Sequence, residues 1–260
     1  VEAAPAPPPC NPGLTILNAA LWMQTAAEYR AAALQTYAGA RRSLDLALAD
    51  PTWVGAWEET EDGYAQPPAI VLDLDETALD NSGFEARAIH AGKTYDVKMW
   101  KQWTSEGIAK AVPGAVAFME YAKSRGVTPF YVTNRDVDEE TGTRRNLEQL
   151  GFPLDAGVDT LLMQNKNGWT TSDKSPRRAF VAAQYRVLLL LGDDLNDFAK
   201  ASGKTAAERD EIMNQTASWW GTRWFILPNA EYGSWESAAI GSGGEPCARL
   251  QRKLDTLKEQ

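Results

Sequence analysis

The chain has 260 residues, 44% of them hydrophobic and 23% charged, an ordinary balance for a globular protein with a sizeable core. Its net charge of −9 argues against a long nucleic-acid polymer as partner, which needs a basic surface, and leaves room for a small phosphorylated molecule where positive charge is gathered locally. No apolar run is long enough to span a membrane. The opening VEAAPAPPPCNPG lacks a basic start and an apolar signal core, so the chain reads either as cytosolic or as mature after signal removal.

The spacing of Trp22, Ala26, Tyr29, Ala33, Tyr37, Ala40, Leu44 and Leu48 predicts a helix over Leu14–Asp50, stopped by Asp50-Pro51 and broken at Gly39. An aromatic stripe at this spacing is a packing face, so the segment is read as a helical extension lying on the main domain. Thr52–Gln66 follows as a loop or short helix. Ile70–Leu74, after a Pro-Pro stop, has the continuous apolar run of a buried parallel strand. Gly83–Val112 is too long for a turn and carries Tyr95, Met99, Trp100 and Trp103; it is read as a small cap inserted over the site. A helix runs from Pro113-Gly114 to Arg125, a strand over Thr128–Thr133, a helix over Glu139–Leu150 and a strand over Thr160–Met163. Ser175–Gln184 is a helix with Pro176 in its first turn. Val187–Leu191 is the most apolar strand, Trp224–Leu227 the last, and a Gly-rich loop and polar helix close the chain from Gly241. Strands alternating with helices give an α/β protein with a doubly wound parallel sheet. The organisation expected is a flexible start and helical extension over 1–66, a core over 67–240 with the cap at about 83–112, and a tail over 241–260.

In such a sheet, strand ends of one polarity share one edge, so four distant loops converge. Asp73 and Asp75 follow the first strand and, by alternation, project to one side. Thr133, Asn134 and Arg135 end the second strand. Lys174 precedes a helix, and GDDLNDF, Gly192–Phe198, follows the most apolar strand. An EF-hand calcium loop is excluded at Asp73: Ala78 stands where that loop needs glycine, and a strand precedes it. His90 is the only histidine, which excludes a histidine nucleophile and His-rich di-metal sites, and no G-x-S-x-G elbow supports a serine triad. Neither cysteine has the arginine six positions later that a cysteine phosphatase needs: Ile16 and Lys253 stand there. Catalysis therefore falls to carboxylates with a metal. Cys10 and Cys247 read either as a disulfide tying down the two ends, with an oxidising compartment, or as two unpaired thiols.

This ordered set resembles the haloacid-dehalogenase-like superfamily of aspartate-nucleophile phosphatases. VLDLDETALDNSGF and LLLGDDLNDF resemble the signatures of its class C bacterial non-specific acid phosphatases, as do the WMQTAAEYRAAALQTY, WKQW and LPNAEYGSWE segments. The likeness runs from about Leu14 to Trp235 and implies a Rossmann-like core. Two departures stand out: Ala78 where the family usually has Val or Met, and Phe84 where it usually has Tyr, a ring without its hydroxyl. Chemistry and resemblance together imply that Asp73 attacks phosphorus to form an aspartyl-phosphate, and that Asp75 protonates the leaving alcohol and then deprotonates water. Mg²⁺ would be held by Asp73, the Asp75 carbonyl and Asp193. Asp194 and Asp197 would orient metal waters or Lys174. Thr133, Asn134 and Lys174 would hold the phosphoryl oxygens, with Lys174 supplying charge to the transition state. Phe84 and Tyr232 would sandwich the leaving group. The activity implied is a magnesium-dependent acid phosphatase acting on phosphomonoesters, nucleoside 5′-monophosphates and aryl phosphates foremost. The alternatives are a sugar-phosphate phosphatase or phosphotransferase of the same superfamily, and a non-enzymatic storage or binding protein on this scaffold. The resemblance also implies a homodimer and a periplasmic or secreted location, with a lipid anchor left open.

Overall fold

The computed structural model describes residues 10–59, 65–155 and 157–259. Its centre is a five-stranded parallel sheet of β1 (Pro68–Leu72), β4 (Thr128–Asp136), β5 (Leu161–Gln164), β6 (Arg186–Gly192) and β7 (Trp224–Ile226), in the order β5-β4-β1-β6-β7. The chain builds outward on one side of β1, then returns to build on the other. The reversal leaves a crevice beyond the carboxyl ends of β1 and β6, where open α/β sheets bind ligands. The short ribbon of β2 (Leu79–Asp80) and β3 (Lys110–Ala111) is antiparallel.

Strand alternation sorts the core into two layers. Ile70, Leu72, Tyr131, Leu161 and Met163 join one apolar cluster; Ala69, Val71, Phe130, Val132 and Leu162 join the other. Helices cover both faces, so the strands carry apolar side chains on both sides, as their sequence runs predict. The first cluster takes in Ala33, Tyr37, Ala40 and Leu44 of α2 (Ala27–Ala49) and Phe118 and Met119 of α5 (Ala115–Ser124). The Tyr37 hydroxyl donates to the Thr77 carbonyl at 2.7 Å, which ties α2 to the loop after β1.

The predicted long N-terminal helix is interrupted, and the break is not at Gly39. A 3-10 turn over Pro12–Ile16 leads into α1 (Leu17–Thr25), and Ala26, extended at φ −77° and ψ 130°, separates it from α2. Gly39 lies inside α2, where an added Cβ would sit 3.2 Å from the Phe225 ring. That glycine permits close packing on β7. Between β2 and β3 the chain forms α3 (Ser82–His90) and α4 (Val97–Glu106), the latter capped by the Asp96 carboxylate and ended by left-handed Gly107. The predicted 52–66 segment packs on β6 through its first half: Trp53 donates to the Leu188 carbonyl at 2.8 Å, and residues 60–64 lie outside the described residues.

The remaining helices are α6 (Glu140–Leu150), α7 (Ser175–Ala182), α8 (Ala206–Gln215), α9 (Ser234–Ile240) and α10 (Pro246–Thr256). Cys247 of α10 is bonded to Cys10 with the Cα atoms 6.1 Å apart, so of the two readings of the cysteines the bridge is the one the structure contains. Among the described residues, no helix is long and apolar enough to cross a membrane.

Candidate active site

The end of β4 and the loops that follow β1 and β6 line one cavity of about 1130 Å³ with Asn134, Arg135, Asp73, Asp75, Asp193 and Asp194. At its floor lies Asp73, 7% exposed, whose N–H extends the ladder by donating to the Leu191 carbonyl at 3.0 Å. The loop behind it is tight. The Ala78 and Leu79 N–H groups both donate to the Leu74 carbonyl, and Glu76 adopts a left-handed φ of 58°, uncommon for a residue with a side chain. That backbone turn sends the Glu76 carboxylate into the interior. There it accepts from the Asn81 N–H at 2.7 Å and from the Tyr232 hydroxyl. The positive φ at Glu76 is the local cause of that placement.

Asp75 is held differently. Arg135, 2% exposed, donates from Nη2 at 2.7 Å and Nε at 3.0 Å to Asp75 Oδ1, and Asn81 Nδ2 donates to the same oxygen at 2.8 Å. The planar guanidinium fixes the carboxylate against rotation. It lies 5.4 Å from the centre of the Trp100 ring.

Lys174 stands at the start of α7, 4% exposed, and its Nζ donates at 2.5 Å to Asp73 Oδ1 and at 2.5 Å to Asp197 Oδ1. Asp197, read from the sequence as orienting metal waters or Lys174, accepts from that lysine here, and one carboxylate oxygen each from Asp73, Asp193 and Asp197 lie within 4.8 Å of one another. The other Asp197 oxygen accepts from the Asp193 and Asp194 N–H groups at 3.1 and 2.9 Å. A Cβ on Gly192 would meet that carboxylate at 2.3 Å, so only glycine lets the loop fold over it. Asp193 is fixed by Asn229 Nδ2 at 2.8 Å and Thr77 Oγ1 at 3.2 Å. Asp194 turns outward: it accepts from Asn196 N at 2.9 Å, Ser234 N at 2.6 Å and Ser234 Oγ at 2.5 Å, which docks α9 on the loop.

Burial pushes the Asp73 carboxyl up to about 7, with Lys174 opposing the rise and Asp197 and Asp75 adding to it. Burial, then the charges of Asp197 and Asp73, push Asp193 well up as well. Among the described residues, Lys174 is bonded to two of the three converging carboxylates, Asp73 and Asp197, so negative charge is in excess there. Hard oxygens at this spacing fit a divalent cation, which would relieve the repulsion.

Thr133 is fully buried. Its hydroxyl oxygen accepts from the Arg135 N–H at 3.0 Å. The Asn134 side chain donates to the Ser172 carbonyl at 3.1 Å and accepts from Arg177 at 2.5 Å. Arg177 also donates to the Thr133 carbonyl and so clamps the end of β4. Phe84 and Tyr232 both line the cavity, and Phe84, 1% exposed, meets Trp100 edge-on at 5.0 Å. Trp235 is 41% exposed and donates to the Tyr232 carbonyl at 3.3 Å, so it lies outside the core.

Sequence reasoning gave no role to Arg135, Asn81, Arg177 or Asn229. Arg135 had a usable signal, since it directly follows the Thr-Asn pair at a strand end. Asn81 and Asn229 act through partners that only the fold brings near.

A buried aspartate paired to a buried lysine, within an acidic trio that fits a divalent cation at the switch point of a Rossmann-like sheet, has the arrangement of a phosphoric monoester hydrolase of the haloacid-dehalogenase (HAD) type. Residues 15–235 match the family described as HAD superfamily, subfamily IIIB (acid phosphatase). The class C acid phosphatase from Bacillus anthracis is 33% identical, superposes with a TM-score of 0.85, and is covered over 96% of this chain and 100% of its own. The structure of that class C enzyme with tungstate bound matches with the same identity, coverage and TM-score. The chain belongs to the subfamily IIIB acid phosphatases and is a phosphoric monoester hydrolase.

Proposed function

We propose that the protein is a Mg²⁺-dependent phosphatase of nucleoside 5′-monophosphates and aryl phosphates, working through an aspartyl-phosphate on Asp73. The observation that carries this reading is Asp73 at the cavity floor, bound to Lys174 and grouped with Asp193 and Asp197, beneath walls that include Phe84 and Tyr232. Asp73, Asp193 and the Asp75 carbonyl would hold the cation, with Asp197 beside them, and the ion would neutralise charge on the phosphoryl oxygens. Asp73 attacks phosphorus, and Lys174 offsets the negative charge that grows there. Thr133 and the Asn134 N–H hold the equatorial oxygens. Asp75, steadied by Arg135 and Asn81, gives its proton to the leaving oxygen and later takes one from water. Tungstate on the Bacillus anthracis relative supports an oxyanion site of this kind. We read the inserted α3–α4 segment as a cap over the site. The Cys10–Cys247 bridge supports a periplasmic or secreted location, since such bonds persist in oxidising compartments.

The direct test is p-nitrophenyl phosphate hydrolysis before and after EDTA. Activity is expected to vanish on chelation and return with Mg²⁺; turnover indifferent to EDTA would remove the metal from the mechanism. A second prediction addresses the aromatic walls. Stacking is worth about 1–3 kcal/mol per base, so Tyr232→Ala is expected to cut kcat/KM for nucleoside monophosphates by about 5- to 150-fold relative to a small alkyl phosphate. Tyr232→Phe keeps the ring and loses only the bond to Glu76, so it should retain the ranking. An unchanged ranking in the alanine variant leaves a broad phosphatase without a base slot.

A further inference from the structure

Arg177 and Arg178 are consecutive on α7 and both 0% exposed, yet their charges are met differently. Arg178 pairs with Glu58, Nη2 to Oε1 at 2.8 Å, while it holds the Asn196 and Asp197 carbonyls at 3.0 Å each. Among the described residues, Arg177 donates to uncharged oxygens alone: the Thr133 carbonyl, the Asn134 side chain at 2.5 Å and the Asp173 carbonyl at 3.4 Å. Its Nε, also buried, has no partner there. A buried charge without a carboxylate is costly to keep, so its retention calls for a use. Burial pulls Arg177 down to about 10, and the charge of Asp73 opposes that fall. The guanidinium thus stays charged and lies within the field of Asp73.

The end of β4 shows what that charge acts on. The Tyr131 N–H donates to the Thr160 carbonyl at 2.8 Å, on the β5 side of the strand. Backbone groups of alternate residues point to the same side, so those of Thr133 also face β5, and the Asn134 N–H faces β1, whose end runs into Asp73. The β4–β5 ladder loses its register between Val132 and Asp136, and within that gap the Thr133 carbonyl takes Arg177 as its donor. That carbonyl and the Asn134 N–H belong to one planar trans peptide and lie on its opposite edges. A donor on the oxygen polarises the N–H of the same peptide, and a charged donor does so more strongly than a neutral one. Arg177 also reaches the Asp173 carbonyl and, through the Asn134 side chain, that of Ser172, both beside Lys174. One side chain therefore joins two of the loops that converge on Asp73.

We propose that Arg177 is a positioning residue of the phosphoryl transfer: it fixes and polarises the Thr133–Asn134 peptide, which makes the Asn134 N–H a stronger donor to the phosphoryl oxygens than an ordinary amide. This deepens the phosphatase reading and rests on it, since Asn134 holds those oxygens there. The guanidinium acts through the peptide and takes no part in bond making; no proton passes through it. Its effect grows as charge gathers on the oxygens, so it favours the transition state over the bound ester.

The test uses the full chain with Mg²⁺ and the variants Arg177→Met and Arg177→Lys. Removing an oxyanion donor outright costs about 10²–10³ in kcat, so weakening one should cost Arg177→Met about 10- to 100-fold on p-nitrophenyl phosphate. The inhibition constant of tungstate, which does not depend on the fraction of enzyme that is folded, should rise alongside. The ¹⁵N resonance of the Asn134 amide should move upfield, because a carbonyl that has lost its donor deshields the following nitrogen less. Arg177→Lys keeps the charge but cannot span both acceptors, so it should fall between the parent and Arg177→Met in all three readouts. If Arg177→Met does not fold, Arg177→Lys decides by the same three, each moving in the same direction. An unimpaired rate, an unchanged tungstate constant or an unmoved Asn134 resonance each reduces Arg177 to a packing residue and overturns the proposal. In the unaltered enzyme, EDTA-sensitive hydrolysis and a downfield shift of the Asn134 amide proton on adding tungstate report on the phosphatase reading by itself, so the two can fail separately.

Discussion

Asp73→Asn is expected to lower turnover of p-nitrophenyl phosphate by about 10⁴-fold or more, the scale of removing a catalytic nucleophile. An amide is nearly the same shape but attacks phosphorus poorly. The fold should survive, because the asparagine oxygen can still accept from Lys174 and because the native carboxyl is itself under strain from its neighbours. Burial holds Asp73 at about 7, above its ordinary 3.8, so the neutral acid suits the metal-free fold better than the anion. Its folded-state value lies above its unfolded one. Its contribution to stability is therefore full below the unfolded value and is lost as pH rises through about 7. Without metal, the asparagine variant should thus melt at or above the unaltered protein at pH 8 and show no such gain at pH 5. Substantial turnover in the purified variant would dismiss the aspartyl-phosphate.

Lys174→Met is expected to damage stability and rate together. The buried ammonium is the shared partner of Asp73 and Asp197. Removing one member of a buried ion pair typically costs about 3–5 kcal/mol, because the remaining charge is left unpaired. Urea unfolding in EDTA at pH 8 should show a loss on that scale, with a smaller loss at pH 5, where Asp73 is protonated. Loss of an electrostatic stabiliser of the transition state typically costs about 10²–10³ in kcat, and the metal-loaded variant should fall in that range. A variant as stable as the parent at pH 8 would mean that the lysine is not what balances these carboxylates.

What the sequence conveyed well were features written in local pattern. The strands announce themselves by apolar runs, and parallel topology carries their acidic ends to one edge, so Asp73, Asp193 and Lys174 meet although Asp73 and Lys174 stand 101 positions apart. The break at Ala26 was illegible because alanine is the best helix former and nothing at that point signals an extended residue. Which of its two expected duties Asp197 takes, metal waters or Lys174, is left open by the sequence for a different reason. It depends on a 3-10 turn over Leu195–Asp197 that swings the side chain back under Gly192, and no period distinguishes that turn from a loop. Arg135 and Asn81 act across the fold, where a single sequence carries no spacing to read.

The bond between Cys10 and Cys247 joins residues 237 positions apart, so nearly all of the described chain lies within one covalent ring. A protease that cuts a surface turn within that ring opens it without releasing a fragment. Both pieces stay tethered at high effective concentration, and their re-association is intramolecular. A nicked molecule can therefore keep the strands that bear Asp73 and Asp193 side by side, and the damage would become visible as separate fragments only after a reductant is added.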